Sequence, residues 1–177
     1  GKCFSCGEYN TIQEETVKKS KNTMINLNEI EGVVTPILNI EAYELQRLKA
    51  PGTELNRVLG GGIVPGSVIL LGGEPGIGKS TLLLQTALRM NKKVLYVSGE
   101  ESLTQIKMRA DRIGVTNENC LLLNETCVEK ITHKLNEIKP SFVIIDSIQT
   151  IYSKYLDSTP GTVSQVRESC ALLVQYA

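Results

Sequence analysis

The sequence predicts an α/β fold in which a parallel sheet is covered by helices on both faces. Strand-like and helix-like segments alternate from residue 67 to the end of the chain. The strand-like segments are almost wholly apolar, which is typical of strands buried on both faces of a parallel sheet. The chain has 177 residues, 41% of them hydrophobic, and its 19 basic residues balance its 19 acidic ones. This composition favours a globular domain with a sizeable core and argues against a polybasic binder.

The predicted elements can be placed in order along the chain. A short helix is expected to begin at Thr53 and to end at the glycines 60–62. The later helices are expected at Lys79–Met90, from Ser102, from Thr126 to before Pro140, and from about Thr162 to the end. The predicted strands are Ser67–Leu71, Val94–Ser98, Cys120–Leu123 and Phe142–Ile145.

Polar side chains mark the expected starts of three helices. Thr53 is the predicted N-cap of the short helix, because its hydroxyl can accept from a free backbone N–H of the first turn. Ser102 with Gln105, and Thr126 with Glu129, fit the capping-box spacing, in which each side chain serves the other residue's backbone N–H.

Residues 1–35 differ from the rest of the chain. Cys3 and Cys6 form a C-x-x-C pair, and a polar, lysine-bearing run follows them. We interpret this part as a fragment of a small cysteine knuckle with a linker, or as two free surface cysteines, and residues 36–177 as the core domain. The other three cysteines are scattered, which indicates reduced thiols and a cytoplasmic protein. No apolar run approaches the roughly 18 residues of a membrane helix, so we expect no membrane partner.

The strongest chemical signal is a nucleotide loop. The segment Gly73-Glu74-Pro75-Gly76-Ile77-Gly78-Lys79-Ser80 fits G-x-x-x-x-G-K-[ST] between a predicted strand and a predicted helix. Its glycines let successive backbone N–H groups surround a phosphate chain. We expect Lys79 to reach the β- and γ-phosphates of ATP, Ser80 to bind Mg²⁺ and Thr81 to contact the α-phosphate. A glycine-rich turn that binds nothing is the alternative interpretation.

Acidic residues follow two of the predicted strands at the edge where parallel sheets place ligands. Asp146 ends the fourth strand and is the expected Mg²⁺ partner, although it would also suit a simple turn cap. Glu100 follows the second strand and is the expected base that takes a proton from the attacking water. Glu101 is the second candidate for this role. Both glutamates could instead be favourable charges before a helix.

Four segments, taken in order, resemble one family. Leu59–Ser67, which leads into the nucleotide loop, resembles the approach to a RecA-type ATPase core. Together with Tyr96–Ser102, Val143–Thr150 and Pro160–Glu168, it resembles the bacterial RadA (Sms) DNA-repair ATPases across the whole chain. The nucleotide loop alone is shared by many ATPases, whereas four segments in this order are far more specific.

The resemblance implies a homo-hexameric ring around DNA that uses Mg-ATP to drive branch migration of recombination intermediates, as a helicase acting beside a RecA-type recombinase. It also implies a four-cysteine zinc finger in the full-length protein, of which Cys3 and Cys6 would be the remaining half. Two thiolates cannot complete a tetrahedral Zn²⁺ site, so we expect weak or absent zinc binding in this chain.

The resemblance also implies parts that this sequence does not show. A further strand beside that of the nucleotide loop and a Lon-protease-like domain would follow Ala177, and the finger's first cysteine pair would precede Gly1. We therefore expect a fragment whose incomplete sheet leaves apolar surface exposed. Low stability and weak ATP hydrolysis would follow.

DNA contacts are expected after the fourth strand. Tyr152, Lys154 and Tyr155 mix aromatic rings with a cation, as proteins that bind single strands do. The resemblance adds Gln165 and Arg167 as contacts with single-stranded or branched DNA. An ordinary polar surface loop would explain the same residues. Gln149 is a candidate sensor of the γ-phosphate or a plain turn amide.

Three functions remain open from the sequence. The favoured one is a DNA-repair motor that couples ATP hydrolysis to DNA binding. The others are a RecA-fold ATPase of signalling or clock type that binds no DNA, and a binding module that uses ATP as an assembly ligand. DNA-stimulated hydrolysis would separate the first from the other two.

Overall fold

A computed structural model describes residues 34–41 and 46–177. The chain divides into two units, Gly1–Tyr43 and Glu44–Ala177. In the first unit, the described residues include one turn of 3-10 helix, Ile37–Asn39. Cys3 and Cys6 lie outside the described residues, so the knuckle and its zinc ligands stay predictions.

The second unit contains a three-stranded parallel sheet. Its strands are β1 (Val94–Ser98), β2 (Cys120–Asn124) and β3 (Phe142–Asp146), in the order β2-β1-β3. Three predicted strands are thereby confirmed to within one residue. The register pairs the last residue of β1 with the last residues of β2 and β3. The carboxyl ends of all three strands therefore lie level at one edge of the sheet.

Five α-helices accompany the sheet in the part of the chain that the structure describes. They are α1 (Thr53–Val58), α2 (Lys79–Arg89), α3 (Leu103–Ile113), α4 (Val128–Ile138) and α5 (Val163–Tyr176). A turn of 3-10 helix, Ile148–Thr150, follows β3. Among the described residues, no helix is long and apolar enough to cross a membrane.

The central strand carries the core on both of its faces. All five residues of β1 are buried, and successive side chains of a strand point to opposite faces. Tyr96 lies in the cluster formed with α2 and α3, which includes Leu84 and Ile106. Leu95 and Val97 lie in the cluster formed with α4 and α5. The prediction of a sheet covered on both faces is confirmed.

Two of the three predicted helix caps differ from the structure. The capping box of Ser102 and Gln105 is present at the start of α3. At α4 the N-cap is Cys127, without a side-chain cap, and Glu129 instead accepts a hydrogen bond from Ser153 Oγ at 2.5 Å. Thr53 is the first residue of α1 rather than its cap, which is Gly52.

The predicted strand Ser67–Leu71 is wrong. These residues form no strand, and Leu70 and Val68 are 84% and 59% exposed. A strand needs a neighbour for its backbone hydrogen bonds. Among the described residues no strand pairs with the outer edge of β3, and this apolar run forms no ladder with that edge or with another strand. Val68 and Leu70 therefore form exposed apolar surface.

Candidate nucleotide and metal site

The nucleotide loop, Gly73–Ser80, joins an exposed segment to α2. Gly76 and Gly78 have φ of 81° and 98°, a region that side-chain-bearing residues rarely occupy. Gly78 is the N-cap of α2 and provides no side-chain cap. The first N–H groups of α2 are thus not covered by a capping side chain, and a helix start of this kind favours anions. The loop fits the phosphates of a nucleotide.

The Lys79 ammonium group crosses this loop. Its Nζ donates to the carbonyl oxygens of Gly73 and Glu74, at 2.8 Å each. The charge therefore lies against the backbone at the start of the loop. A flexible lysine held only by two carbonyls can exchange them for phosphate oxygens, which are stronger acceptors because they are charged.

Ser80 and Asp146 meet although they are 66 positions apart. The Ser80 Oγ donates to the Asp146 Oδ1 at 3.0 Å. Ser80 lies in the first turn of α2, and Asp146 is the last residue of β3. A hydroxyl and a carboxylate are the hard oxygen ligands that Mg²⁺ prefers, so these residues fit the expected metal.

The second carboxylate oxygen of Asp146 also has a partner. The Tyr96 hydroxyl donates to the Asp146 Oδ2 at 2.5 Å, and the Arg109 Nη2 donates to the Tyr96 hydroxyl at 3.3 Å. Burial, followed by the hydrogen bond to Asp146 and its charge, raises the pKa of Tyr96 far above the usual range. The phenol thus stays protonated and keeps donating to Asp146.

The structure distinguishes the two glutamates that follow β1. Glu100 is exposed, and its Oε1 accepts from the Ser147 Oγ at 2.5 Å, next in sequence to Asp146. Glu101 turns the other way, and its Oε2 lies 2.7 Å from the Arg109 Nη2 in α3. Glu100 is therefore the glutamate placed beside Asp146, which favours it over Glu101 as the base.

Gly99 permits this close approach of the two strand ends. A Cβ at this position would lie 2.2 Å from the Thr150 Oγ1 and 2.8 Å from the Thr126 Cγ2. The Gly99 N–H also donates to the Asp146 carbonyl at 3.3 Å. The turn after β1 therefore packs directly on the segment that follows β3.

The loop after β3 carries the predicted DNA contacts. The Lys154 Nζ lies 5.1 Å from the centre of the Tyr155 ring, and Tyr155 is 77% exposed. Arg167 and Gln149 are exposed as well. Tyr152 differs, because its backbone bridges to Cys127 at the start of α4.

Gln165 is buried rather than presented to a ligand. It is 1% exposed, and its Oε1 accepts from the Ser153 N–H at 2.8 Å. Its Nε2 donates to the carbonyls of Ser153, Leu156 and Ser158. In this structure Gln165, expected to contact DNA at the surface, instead forms hydrogen bonds that hold the backbone of the 153–158 loop.

Sequence reasoning missed three side chains of the site. Ser147 could have been found, because it follows Asp146 directly. Tyr96 and Arg109 gave no local signal, since one lies within an apolar strand and the other on a helix. Within the ranges that the structure describes, no group of three or more His, Cys, Asp or Glu side chains forms another metal site.

Comparison with known proteins gives two findings. The family model described as AAA domain matches residues 35–168. The chain is 48% identical to the DNA repair protein RadA of Bacillus subtilis, 51% to that of Aquifex aeolicus and 44% to that of Haemophilus influenzae. These alignments cover 99–100% of this chain and 39–40% of each relative. The chain thus spans about two-fifths of the length of these relatives.

Proposed function

Because this chain belongs to the AAA domain family and is similar over its whole length to DNA repair proteins RadA, we propose that it binds and hydrolyses Mg-ATP in DNA repair. The observation that carries this proposal is the hydrogen bond between Ser80 and Asp146. It brings the end of the nucleotide loop to the acidic end of β3, at the edge where Glu100 also lies. Phosphate, metal and water-activating groups then share one edge of the sheet.

Each of these residues has a separate task in the proposed reaction. The N–H groups at the start of α2 and the Lys79 ammonium hold the phosphates. Ser80 and Asp146 would hold Mg²⁺, which would supply Lewis-acid polarisation of the phosphoryl oxygens. Glu100 accepts the proton of the attacking water, and Ser147 fixes the direction of its carboxylate through their hydrogen bond. Thr81, exposed in the first turn of α2, contacts the α-phosphate.

Turnover of the Glu100→Gln variant tests this assignment. The variant should bind Mg-ATP as tightly as the unaltered chain and lose at least about 100-fold in turnover, the usual weight of a general base. Glu118→Gln is the matched control, because Glu118 is exposed and precedes β2, at the opposite edge of the sheet. Equal turnover of Glu100→Gln and Glu118→Gln would remove Glu100 from the mechanism.

We further propose that the exposed side chains after β3 contact single-stranded DNA. Lys154 offers a cation and Tyr155 an exposed ring, and Arg167 adds a second cation on α5. The buried Gln165 supports this surface through its hydrogen bonds to the backbone of the 153–158 loop. Gln149 is exposed between β3 and this loop. We propose that it contacts the γ-phosphate and couples the loss of this phosphate to the loop.

DNA affinity measured over a range of salt concentrations tests this surface. The logarithm of DNA affinity falls linearly with the logarithm of salt concentration. Removing one cation that pairs with a DNA phosphate should make this slope less steep by about 0.7 for single strands. Lys154→Gln and Arg167→Gln should each show this decrease, whereas Lys92→Gln, exposed before the start of β1, should not. Unchanged slopes in both Lys154→Gln and Arg167→Gln would exclude this surface as the DNA-binding surface. ATP hydrolysis that DNA does not stimulate would favour an ATPase of signalling type.

The remaining expectations concern a protein of its relatives' length. There we propose that this unit works in a homo-hexameric ring on branched DNA, beside a RecA-type recombinase and with a complete zinc finger. Branch migration and helicase activity would belong to that assembly. Analytical ultracentrifugation with Mg-ATP and DNA would show whether a ring forms.

A further inference from the structure

Tyr96 places a hydroxyl group inside an apolar cluster. Its side chain is fully buried at the centre of β1, and Leu84, Ile106 and Ile144 belong to the same cluster. A buried phenol needs a hydrogen-bond partner, because the desolvated hydroxyl otherwise costs free energy. Its partners are the Asp146 carboxylate and the Arg109 guanidinium group.

The sheet register brings Tyr96 within reach of Asp146. Tyr96 pairs with Ile144 of β3, and Asp146 lies two residues further along the same strand. Residues in this diagonal relation point to the same face, where a long side chain can span the separation. The phenol thereby reaches the carboxylate from a fully buried position in β1.

Arg109 gives the Tyr96 hydroxyl a single orientation. A guanidinium group can only donate hydrogen bonds, so the phenol oxygen must accept from Arg109. The one proton of the phenol is then directed to Asp146. Glu101 in turn holds Arg109 through an ion pair at 2.7 Å, in which the arginine side chain is only 19% exposed.

We propose that Tyr96 is a positioning residue for the metal site: its hydroxyl fixes the rotation of the Asp146 carboxylate so that Oδ1 faces Ser80. The carboxylate has two equivalent oxygens and a freely rotating terminal torsion, so one hydrogen bond is not enough to hold it. With Oδ2 bound to Tyr96, Oδ1 remains for Ser80 and for Mg²⁺. This inference rests on the proposed function, because it concerns the same metal site.

The arrangement also connects Asp146 with the turn that carries the proposed base. Arg109 contacts Tyr96 with one hydrogen bond and Glu101 with its ion pair, and Glu101 is the neighbour of Glu100. Arg109 of α3 therefore links the residue that binds Asp146 to the turn in which Glu100 lies, while Glu100 itself accepts from Ser147.

Tyr96→Phe tests the inference, because it removes the hydroxyl and keeps the ring that packs in the core. The measurement is equilibrium binding of a fluorescent ADP analogue, with Mg²⁺ and with EDTA. Binding in EDTA should stay within a factor of two of the unaltered chain, since the phosphate-binding groups are untouched. The tightening produced by Mg²⁺ should fall by about tenfold, as expected for the loss of one hydrogen bond to a charged group. A tightening equal to that of the unaltered chain would overturn the inference.

The control variant is Tyr176→Phe. Tyr176 packs against the cluster on the other face of the sheet, away from Asp146. It should keep the full effect of Mg²⁺, and a loss equal to that of Tyr96→Phe would overturn the inference by pointing to a general loss of packing. If the unaltered chain binds no nucleotide, the proposed function fails first, which separates the two failures.

A second variant covers the case in which Tyr96→Phe does not fold. Tyr96→4-fluorophenylalanine keeps the ring and a para substituent in the core but removes the proton that the phenol donates to Asp146. The effect of Mg²⁺ on binding should again fall by about tenfold. An unchanged effect would overturn the inference.

Discussion

Replacing Gly99 by alanine adds one methyl group where β1 turns toward the site. The new Cβ would lie 2.2 Å from the Thr150 Oγ1, 2.8 Å from the Thr150 Cβ and 2.8 Å from the Thr126 Cγ2. Non-bonded carbon atoms are most favourable at about 3.5–4.0 Å, so all three contacts are far too short. The Thr126 and Thr150 side chains, or the segments that carry them, must shift to accept the methyl group.

The cost can be estimated from this geometry. Forcing an extra methyl group into a packed region typically costs about 1–3 kcal/mol, and three simultaneous contacts place Gly99→Ala near about 3 kcal/mol. For a domain of this size, that loss corresponds to a decrease in Tm of roughly 6–12 °C. Backbone strain adds nothing, because Gly99 is not among the glycines with positive φ.

Urea unfolding followed by circular dichroism measures this loss. Gly72→Ala is the matched control, since a Cβ at Gly72 would meet no atom within 4 Å and its φ is not positive either. The control should stay within about 1 kcal/mol of the unaltered chain. The double variant Gly99→Ala/Thr150→Ala should lose less than the sum of the single losses, because the shortest contact is gone. A Gly99→Ala chain as stable as the control would refute the packing described at this turn.

Three further changes test other parts of the structure. Ser102→Ala should lower the free energy of unfolding by about 1 kcal/mol, measured in urea, because the capping box of α3 loses its hydroxyl; an unchanged value would contradict the cap. Burial raises the pKa of Glu129, but hydrogen bonds from Cys127 and Ser153 outweigh it and hold the folded-state pKa below 4.5. The stabilisation is therefore present above the unfolded-state pKa and is lost as the pH falls through the folded-state pKa. The difference in free energy of unfolding between the unaltered chain and Glu129→Gln should consequently shrink below pH 4.5. A difference that does not depend on pH would contradict this. Gln165→Leu should speed hydrogen exchange at the Ser153 amide by tens-fold, as expected for a buried N–H left without its acceptor at a cost of about 2 kcal/mol; unchanged protection would show that Gln165 does not hold the loop.

The sequence was sufficient where local and periodic signals decide the structure. Strand β1 could be predicted to the residue, because the apolar run Val94–Val97 fits the centre of a parallel sheet, where all residues of the strand are buried. The capping box of α3 could be predicted too, since Ser102 and Gln105 are three residues apart. For the same reason, the nucleotide loop can be identified directly from its glycines and Lys79.

Contacts between distant segments explain the failures. Glu129 fits a capping box by spacing, but its carboxylate instead accepts a hydrogen bond from Ser153, 24 residues away. The resemblance places Gln165 among the DNA contacts, whereas its side chain is buried and bonds to the backbone of the 153–158 loop. Tyr96 lies among apolar neighbours in sequence, and only the pairing of β1 with β3 shows that it contacts Asp146. Polarity and spacing carry no information on such pairings.

The most direct test of the account is an equilibrium titration of the folded chain with a fluorescent ATP analogue. We expect saturable binding that Mg²⁺ strengthens and that Lys79→Ala weakens at least about tenfold, because the variant cannot make the charge-assisted hydrogen bonds to phosphate. The absence of saturable binding to folded chain, or equal affinity in Lys79→Ala, would contradict the assignment of Gly73–Ser80 as a triphosphate site.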